Sequence, residues 1–331
     1  MAAATDSSPP ELTVIVPLYN EADVFGELRR RLSVALDSLA LRCEILLVDD
    51  GSTDSSPRLL RDWASTDRRV RGIVLSRNFG QQLALSAGLS RSRGDAVVLL
   101  DADLQDPPEM IAEMIDRWRQ GYKVVYGVRR HRREGLMKRL AYALFYRTLR
   151  TLSPTPIPLD AGDFCLLDRR VVEWIVAMPE RGRFLRGLRG FVGFPQIGLP
   201  YDRPARAAGI PKYSVRKLFA LALDGVLSFS PFPLRIASVV GFLVALSSLA
   251  GIVFYLLWWW SGLKILGKHP QDVAGFMTMI ILLLFFAGLQ FLFLGILGEY
   301  VGRVYLEVKQ RPGFIVAEEI PAPVAESVAK R

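Results

Sequence analysis

The chain has 331 residues, room for one sizeable domain with accessory segments, and 51% of them are apolar, with the excess concentrated between Ile236 and Leu297. Its formal charge of +9 points to an anionic partner. Basic residues crowd at Arg129–Arg150 and at Arg203–Arg235, the second group leading straight into the apolar region, so membrane phosphate is favoured and nucleic acid disfavoured.

Residues 1–11 contain no basic start followed by an apolar run, so they read as a disordered, cytosolic N-terminus rather than a secretory leader. From Leu12 to about Val128, short β-rich runs alternate with helical stretches. LTVIVPL, EILLVDD, RGIVLS, DAVVLLD and KVVYGVR read as strands; EADVFGELRRRLSVALDSL and SPRLLRDWASTD carry apolar residues every three or four positions and read as crossover helices. The rhythm predicts a parallel α/β sheet of Rossmann-like type. Cys43 and Cys165 fall in apolar runs and are expected to be buried, reduced thiols, which excludes a disulfide framework.

Further on, residues 133–152 form a basic amphipathic segment suited to a membrane surface, and residues 214–230 are expected to lie there too. Two uncharged stretches, 236–260 and 273–297, would each extend about 37 Å as helix, enough to cross a hydrocarbon layer of roughly 30 Å. Lysines and arginines flank the pair on both outer sides, while the connecting loop carries only Lys264 and Lys268. The positive-inside rule then places both ends in the cytosol. The expected organisation is a catalytic domain over 12–232, a two-helix membrane domain over 233–303 and a cytosolic tail over 304–331, disordered from Ala317.

Ligands of such a sheet bind at the carboxyl ends of its strands, and polar clusters recur there: Pro17-Leu18-Tyr19-Asn20-Glu21, Asp49-Asp50-Gly51-Ser52 and Asp101-Ala102-Asp103. A tyrosine face can stack on a base, and a carboxylate can accept a ring N–H, so the first two clusters suit a nucleoside. Two carboxylates separated by one residue suit a hard cation, Mg²⁺ or Mn²⁺, beside a diphosphate. There is neither a GxGxxG nor a GxxxxGK[ST] pattern, which argues against dinucleotide redox chemistry and P-loop hydrolysis.

At these residues the chain resembles the family 2 glycosyltransferases of A-type fold, from about Leu12 to Val316, and most of all the polyprenyl-phosphate glycosyltransferases. The resemblance implies a nucleoside site at Pro17, Tyr19, Glu21 and Asp50, ribose and metal contacts at Asp101 and Asp103, and Gln105 as a further metal ligand. Asp160-Ala161-Gly162-Asp163-Phe164 resembles the family's DxGDF stretch, which makes Asp163 the proposed base, with Asp103 beside it at the reacting end. Arg129 looks like the acceptor-phosphate arginine; Arg139, Arg203, Arg206 and Lys212 are implied for acceptor or diphosphate. Pro211 departs from the hydroxyl residue usual before that lysine. The implied reaction is inverting transfer of one sugar from a nucleotide sugar, UDP-glucose first, to polyprenyl phosphate, undecaprenyl phosphate first, on the cytosolic face of the inner membrane by a homo-oligomer, tetrameric in this subgroup. A processive polysaccharide synthase would usually need more spans and a QxxRW motif, neither of which is found here, and a non-catalytic scaffold would not need Asp50, Asp101, Asp103 and Asp163 at strand ends.

Overall fold

Leu12–Leu18 (β1) and Cys43–Asp49 (β2) are apolar on both faces, and a strand of that kind is stable only in the middle of a sheet covered on both sides. The computed structural model, which describes residues 9–129, 161–202, 232–263, 269 and 275–322, places them there. Successive side chains alternate between faces: Leu12, Val14, Val16 and Leu18 enter one core and Ile15 the other. The first core is closed by Ala22–Asp37 (α1), Ser56–Thr66 (α2) and Ile111–Arg119 (α4). Gln81–Arg91 (α3), Arg169–Ala177 (α5) and Leu185–Phe191 (α6) close the second. Both cysteines are buried and unpaired, as expected.

The other strands are Val70–Leu75 (β3), Ala96–Leu99 (β4), Val124–Arg129 (β5), Ala161–Asp168 (β6), Gln196–Tyr201 (β7) and Val316–Ile320 (β8). Their order in the sheet is β7-β5-β6-β4-β1-β2-β3-β8. The α/β class is as expected, but the sheet is mixed rather than parallel. β6 lies between β4 and β5 and runs antiparallel to both. Its first residues, Ala161–Asp163, therefore reach the edge where the parallel strands end. β7 runs parallel to β5, with Arg129 opposite Tyr201.

The chain divides into two compact units, residues 1–213 with 311–331, and residues 214–310. The second contains Phe232–Ser261 (α7) and Phe276–Val308 (α8), both long and apolar enough to cross a membrane. The amphipathic segments expected at 133–152 and 214–230 lie outside the described residues.

The expectation of a disordered tail from Ala317 is corrected as far as Ile320; residues 323–331 lie outside the described residues. Val316–Ile320 is a strand that pairs antiparallel with β3 and closes that side of the sheet. Gly72 of β3 lets Ile320 approach, since a Cβ on it would lie 3.1 Å from Ile320 Cδ1 and 2.3 Å from Leu60 Cδ2. Arg61 meets Glu318 at 2.6 Å and Arg91 meets Glu319 at 2.8 Å. The Pro-Ala-Glu composition misleads because an edge strand draws most of its pairing from backbone groups, and its inward residues are only Val316 and Ile320.

Candidate active site at the sheet edge

The turn after β1 is knitted to the turn after β2. Asn20 N–H donates to Ser52 Oγ (2.9 Å), Glu21 N–H to Ser56 Oγ (3.0 Å), and Thr53 N–H to Asn20 Oδ1 (2.8 Å). Pro17 is the next-to-last residue of β1, and Tyr19, just past it, stays open to solvent at 40% exposure. Asp50 is buried, and its two oxygens accept the N–H groups of Phe79 (2.7 Å) and Gly80 (2.8 Å). Burial pushes its carboxyl up, against the lowering effect of those two bonds.

Gly51 has φ +69°, and a Cβ there would sit 2.4 Å from the Arg77 carbonyl carbon. Gly51→Ala is therefore expected to lower stability by about 2–4 kcal/mol, combining left-handed strain with a clash against backbone. Thermal unfolding measures it; a midpoint within a degree of the parent's would refute the assignment.

After β4, Asp101 Oδ1 accepts the side-chain N–H of Gln81 (2.6 Å), and Asp103 Oδ1 accepts the backbone N–H of Gln105 (3.1 Å). Leu104 between them is left-handed at φ 57°, a strain of the sort that collects at functional turns. Burial, then the charges of Asp106, Asp163 and Asp103, push the Asp101 carboxyl up to about 7. Hard oxygen donors and an excess of negative charge fit a hard dication at Asp101, Asp103 and Gln105. Among the described residues no three His, Cys, Asp or Glu side chains gather as a metal cluster, so such an ion would need the Gln105 amide, diphosphate and water as well.

On β6, Asp163 is 9% exposed and receives three donors. Arg186 Nε reaches Oδ1 at 2.8 Å and Nη2 reaches Oδ2 at 3.0 Å, while Gln82 Nε2 reaches Oδ2 at 3.2 Å. Burial opposes ionisation, but the charge and hydrogen bonds of Arg186, with the charge of Arg189, hold the carboxyl below the usual range. At the end of β5, Arg129 Nε donates to Tyr201 Oη at 3.3 Å, and Tyr201 donates to the buried Asp106. Burial and the Asp106 charge push the Tyr201 phenol up to about 12.

One edge of the sheet thus gathers Pro17, Tyr19, Glu21, Asp50, Asp101, Asp103, Gln105, Arg129 and Asp163. Arg139, Arg203, Arg206 and Lys212 lie outside the described residues. Sequence reasoning missed Gln81, Gln82, Asp106, Arg186, Arg189 and Tyr201. A signal existed for two of them: Arg183, Arg186 and Arg189 recur every three residues in an apolar run, a spacing that puts charge on one helix face and calls for a carboxylate partner.

The glycosyl transferase family 2 profile matches residues 13–175. The glycosyltransferase sll0501 of Synechocystis sp. is 42% identical over 93% of this chain and 95% of its own. A bactoprenol glucosyl transferase of Shigella phage SfII is 36% identical over 92% of this chain and 97% of its own. Among solved structures, the mannosyltransferase PcManGT of Pyrobaculum calidifontis, in complex with GDP-Man and Mn2+, is 24% identical over 59% of this chain and 56% of that one, with a TM-score of 0.42. With relatives of that identity along nearly its whole length, the chain belongs to glycosyltransferase family 2, in the polyprenyl-phosphate glucosyltransferase group that contains the bactoprenol glucosyl transferases.

Proposed function

We propose that the chain transfers one hexose, from UDP-glucose first among donors, to polyprenyl phosphate, undecaprenyl phosphate first among acceptors. The observation that carries this reading is the likeness, along almost the whole chain, to a bactoprenol glucosyl transferase. The site agrees with it. Tyr19, Glu21 and Asp50 take the nucleoside, with Pro17 shaping the turn, and Asp101 and Asp103 face the donor's ribose and diphosphate. Arg129 meets the acceptor phosphate, its guanidinium steadied by Tyr201. Arg139, Arg203, Arg206 and Lys212 are proposed as further phosphate contacts.

A phosphate oxygen of the acceptor attacks the anomeric carbon; the new C–O bond forms as the bond to the diphosphate breaks, the leaving group keeps the electron pair, and the centre inverts. Phosphate monoesters have a second pKa near 6, so the nucleophile arrives largely ionised and needs no strong base. Asp163, held as a carboxylate by Arg186, orients sugar or acceptor rather than removing a proton. Mg²⁺ or Mn²⁺ held by Asp101, Asp103 and Gln105 would supply charge neutralisation at the diphosphate.

Both helices are proposed to span the membrane, with the catalytic unit cytosolic. Side chains such as Phe242, Leu257, Trp260 and Phe291 are exposed to an extent that hydrocarbon tolerates and water does not. Residues 1–213 and 311–331, on either side of the two helices in sequence, belong to one compact unit, which supports an even number of crossings. Assembly as a homo-oligomer, a tetramer by family resemblance, belongs to the same proposal.

The test is transfer of labelled sugar to undecaprenyl phosphate in detergent, with a panel of nucleotide sugars, Mg²⁺ or Mn²⁺, and a chelator control. One donor giving a lipid-phosphate sugar, suppressed at least tenfold by chelator, is the expected outcome. Product undiminished by chelator would remove the metal from the reading, and no product from any donor or isoprenoid length would overturn it.

A further inference from the structure

Three acidic strand ends converge on one short turn, Phe79–Gln82, which leads from the loop after β3 into the first two residues of α3. Asp50 accepts the backbone N–H groups of Phe79 and Gly80 at 2.7 and 2.8 Å. Asp101 accepts Gln81 Nε2 at 2.6 Å, and Asp163 accepts Gln82 Nε2 at 3.2 Å. Adjacent residues of a helix point about 100° apart, so neighbouring side chains do not serve one group. Here they reach two separate carboxylates, one just past the end of β4 and one on β6. Gln82 reaches further: its Oε1 accepts the backbone N–H of Leu185 at 3.0 Å, at the start of the helix that carries Arg186. Because that backbone group can only donate, the amide's oxygen faces Leu185 and its NH₂ faces Asp163.

Resting on the transferase reading above, we propose that Gln81 and Gln82 are positioning residues with divided duties, Gln81 holding Asp101 for the donor and Gln82 holding Asp163 and the Arg186 helix for the acceptor. Asp101 stands among like charges and Gln81 supplies a donor that fixes its oxygen in place. Asp163 already has both oxygens engaged by Arg186, and the Gln82 bond sets the carboxylate plane relative to α3. The backbone of the same turn is locked by Asp50, so nucleoside, diphosphate and acceptor contacts share one rigid reference.

The test is steady-state kinetics of the full-length protein in detergent, varying nucleotide sugar and polyprenyl phosphate separately, for Gln81→Leu and Gln82→Leu. Both keep good helix propensity and similar volume. Gln81→Leu should raise the donor KM about tenfold, the effect of one hydrogen bond to a charged group, with the acceptor KM within about twofold. Gln82→Leu should raise the acceptor KM or lower kcat about tenfold, with the donor KM within about twofold. A general disturbance of α3 would move both substrates alike in both variants, and that shared signature, or no shift in either, would overturn the division. If a leucine variant does not fold, Gln81→Met and Gln82→Met keep the length and helix propensity, remove the donor without adding charge and read the same split. Wild-type protein that makes no product with any donor would sink the transferase reading and this one with it; wild-type turnover without the split sinks this one alone.

Discussion

Asp163→Asn is expected to lower kcat by about 10²- to 10³-fold, the range seen when one preorganised polar contact at a reacting centre is lost. The variant keeps the shape but presents an amide to Arg186; the amide NH₂ cannot accept, so one of the contacts at 2.8 and 3.0 Å is lost and the other loses its charge assistance. The pH profile discriminates between roles. Asp163 has a carboxyl held below the usual range, so it is ionised across neutral pH and titrates only well into acid. Among the described carboxyls of the site, Asp101 is the one pushed up to about 7, a value that a bound dication would lower. Below that pH it is protonated, so kcat/KM for the donor, which reports the free enzyme, should fall as pH drops through about 7. Asp163→Asn should keep that limb but move it toward lower pH, because the Asp163 charge that helps raise Asp101 is gone. A limb displaced strongly toward alkaline pH in the variant would instead mark Asp163 as a true base.

Ending the chain after Gln310 is expected to lower the unfolding midpoint of the full-length protein in detergent by about 10 °C. Removal of residues 311–331 strips β8 from β3 and takes Ile320 from the first core and Phe314 and Val316 from the second. Three partly buried apolar side chains contribute about 3 to 4 kcal/mol, and a unit of this size shifts roughly 2–4 °C per kcal/mol. The surface ion pairs Arg61–Glu318 and Arg91–Glu319 add little. Glu318→Gln should accordingly stay within a degree or two of the parent. Activity should fall with the truncation, because Ser76 N–H donates to Ile315 O at 2.9 Å and Gly313 packs against Leu83, bracing both sides of the Phe79–Gln82 turn. A truncated chain with an unchanged midpoint would show that the strand is ornamental.

The parts of the fold legible in the sequence are those with local signals. LTVIVPL and EILLVDD are apolar on both faces, and each ends in polar residues, so both the central strands and the chemical edge of the sheet were visible. β6 was not assigned its antiparallel place, because insertion between β4 and β5 depends on backbone pairing across the gap in sequence from Arg129 to Ala161. Asp163 was found through its motif, whereas Arg186 and Gln82 were not: they come from separate helices, and only the folded chain brings them to one carboxylate. β8 was read as tail because polar and proline-flanked residues outvoted two inward side chains, while the unpaired edge of β3 that receives them is a tertiary fact.

The late arrival of β8 also bears on how the protein is made. The strands from β1 to β7 are synthesised first, yet β3 keeps an open hydrogen-bonding edge until Val316–Ile320 emerges, after both long apolar helices. An open edge invites pairing with other chains and attack by proteases. If α7 and α8 insert as proposed, a chain that crosses the membrane once instead of twice delivers β8 to the wrong side, and its catalytic sheet stays unfinished. Correct topology is then a precondition of a finished catalytic sheet.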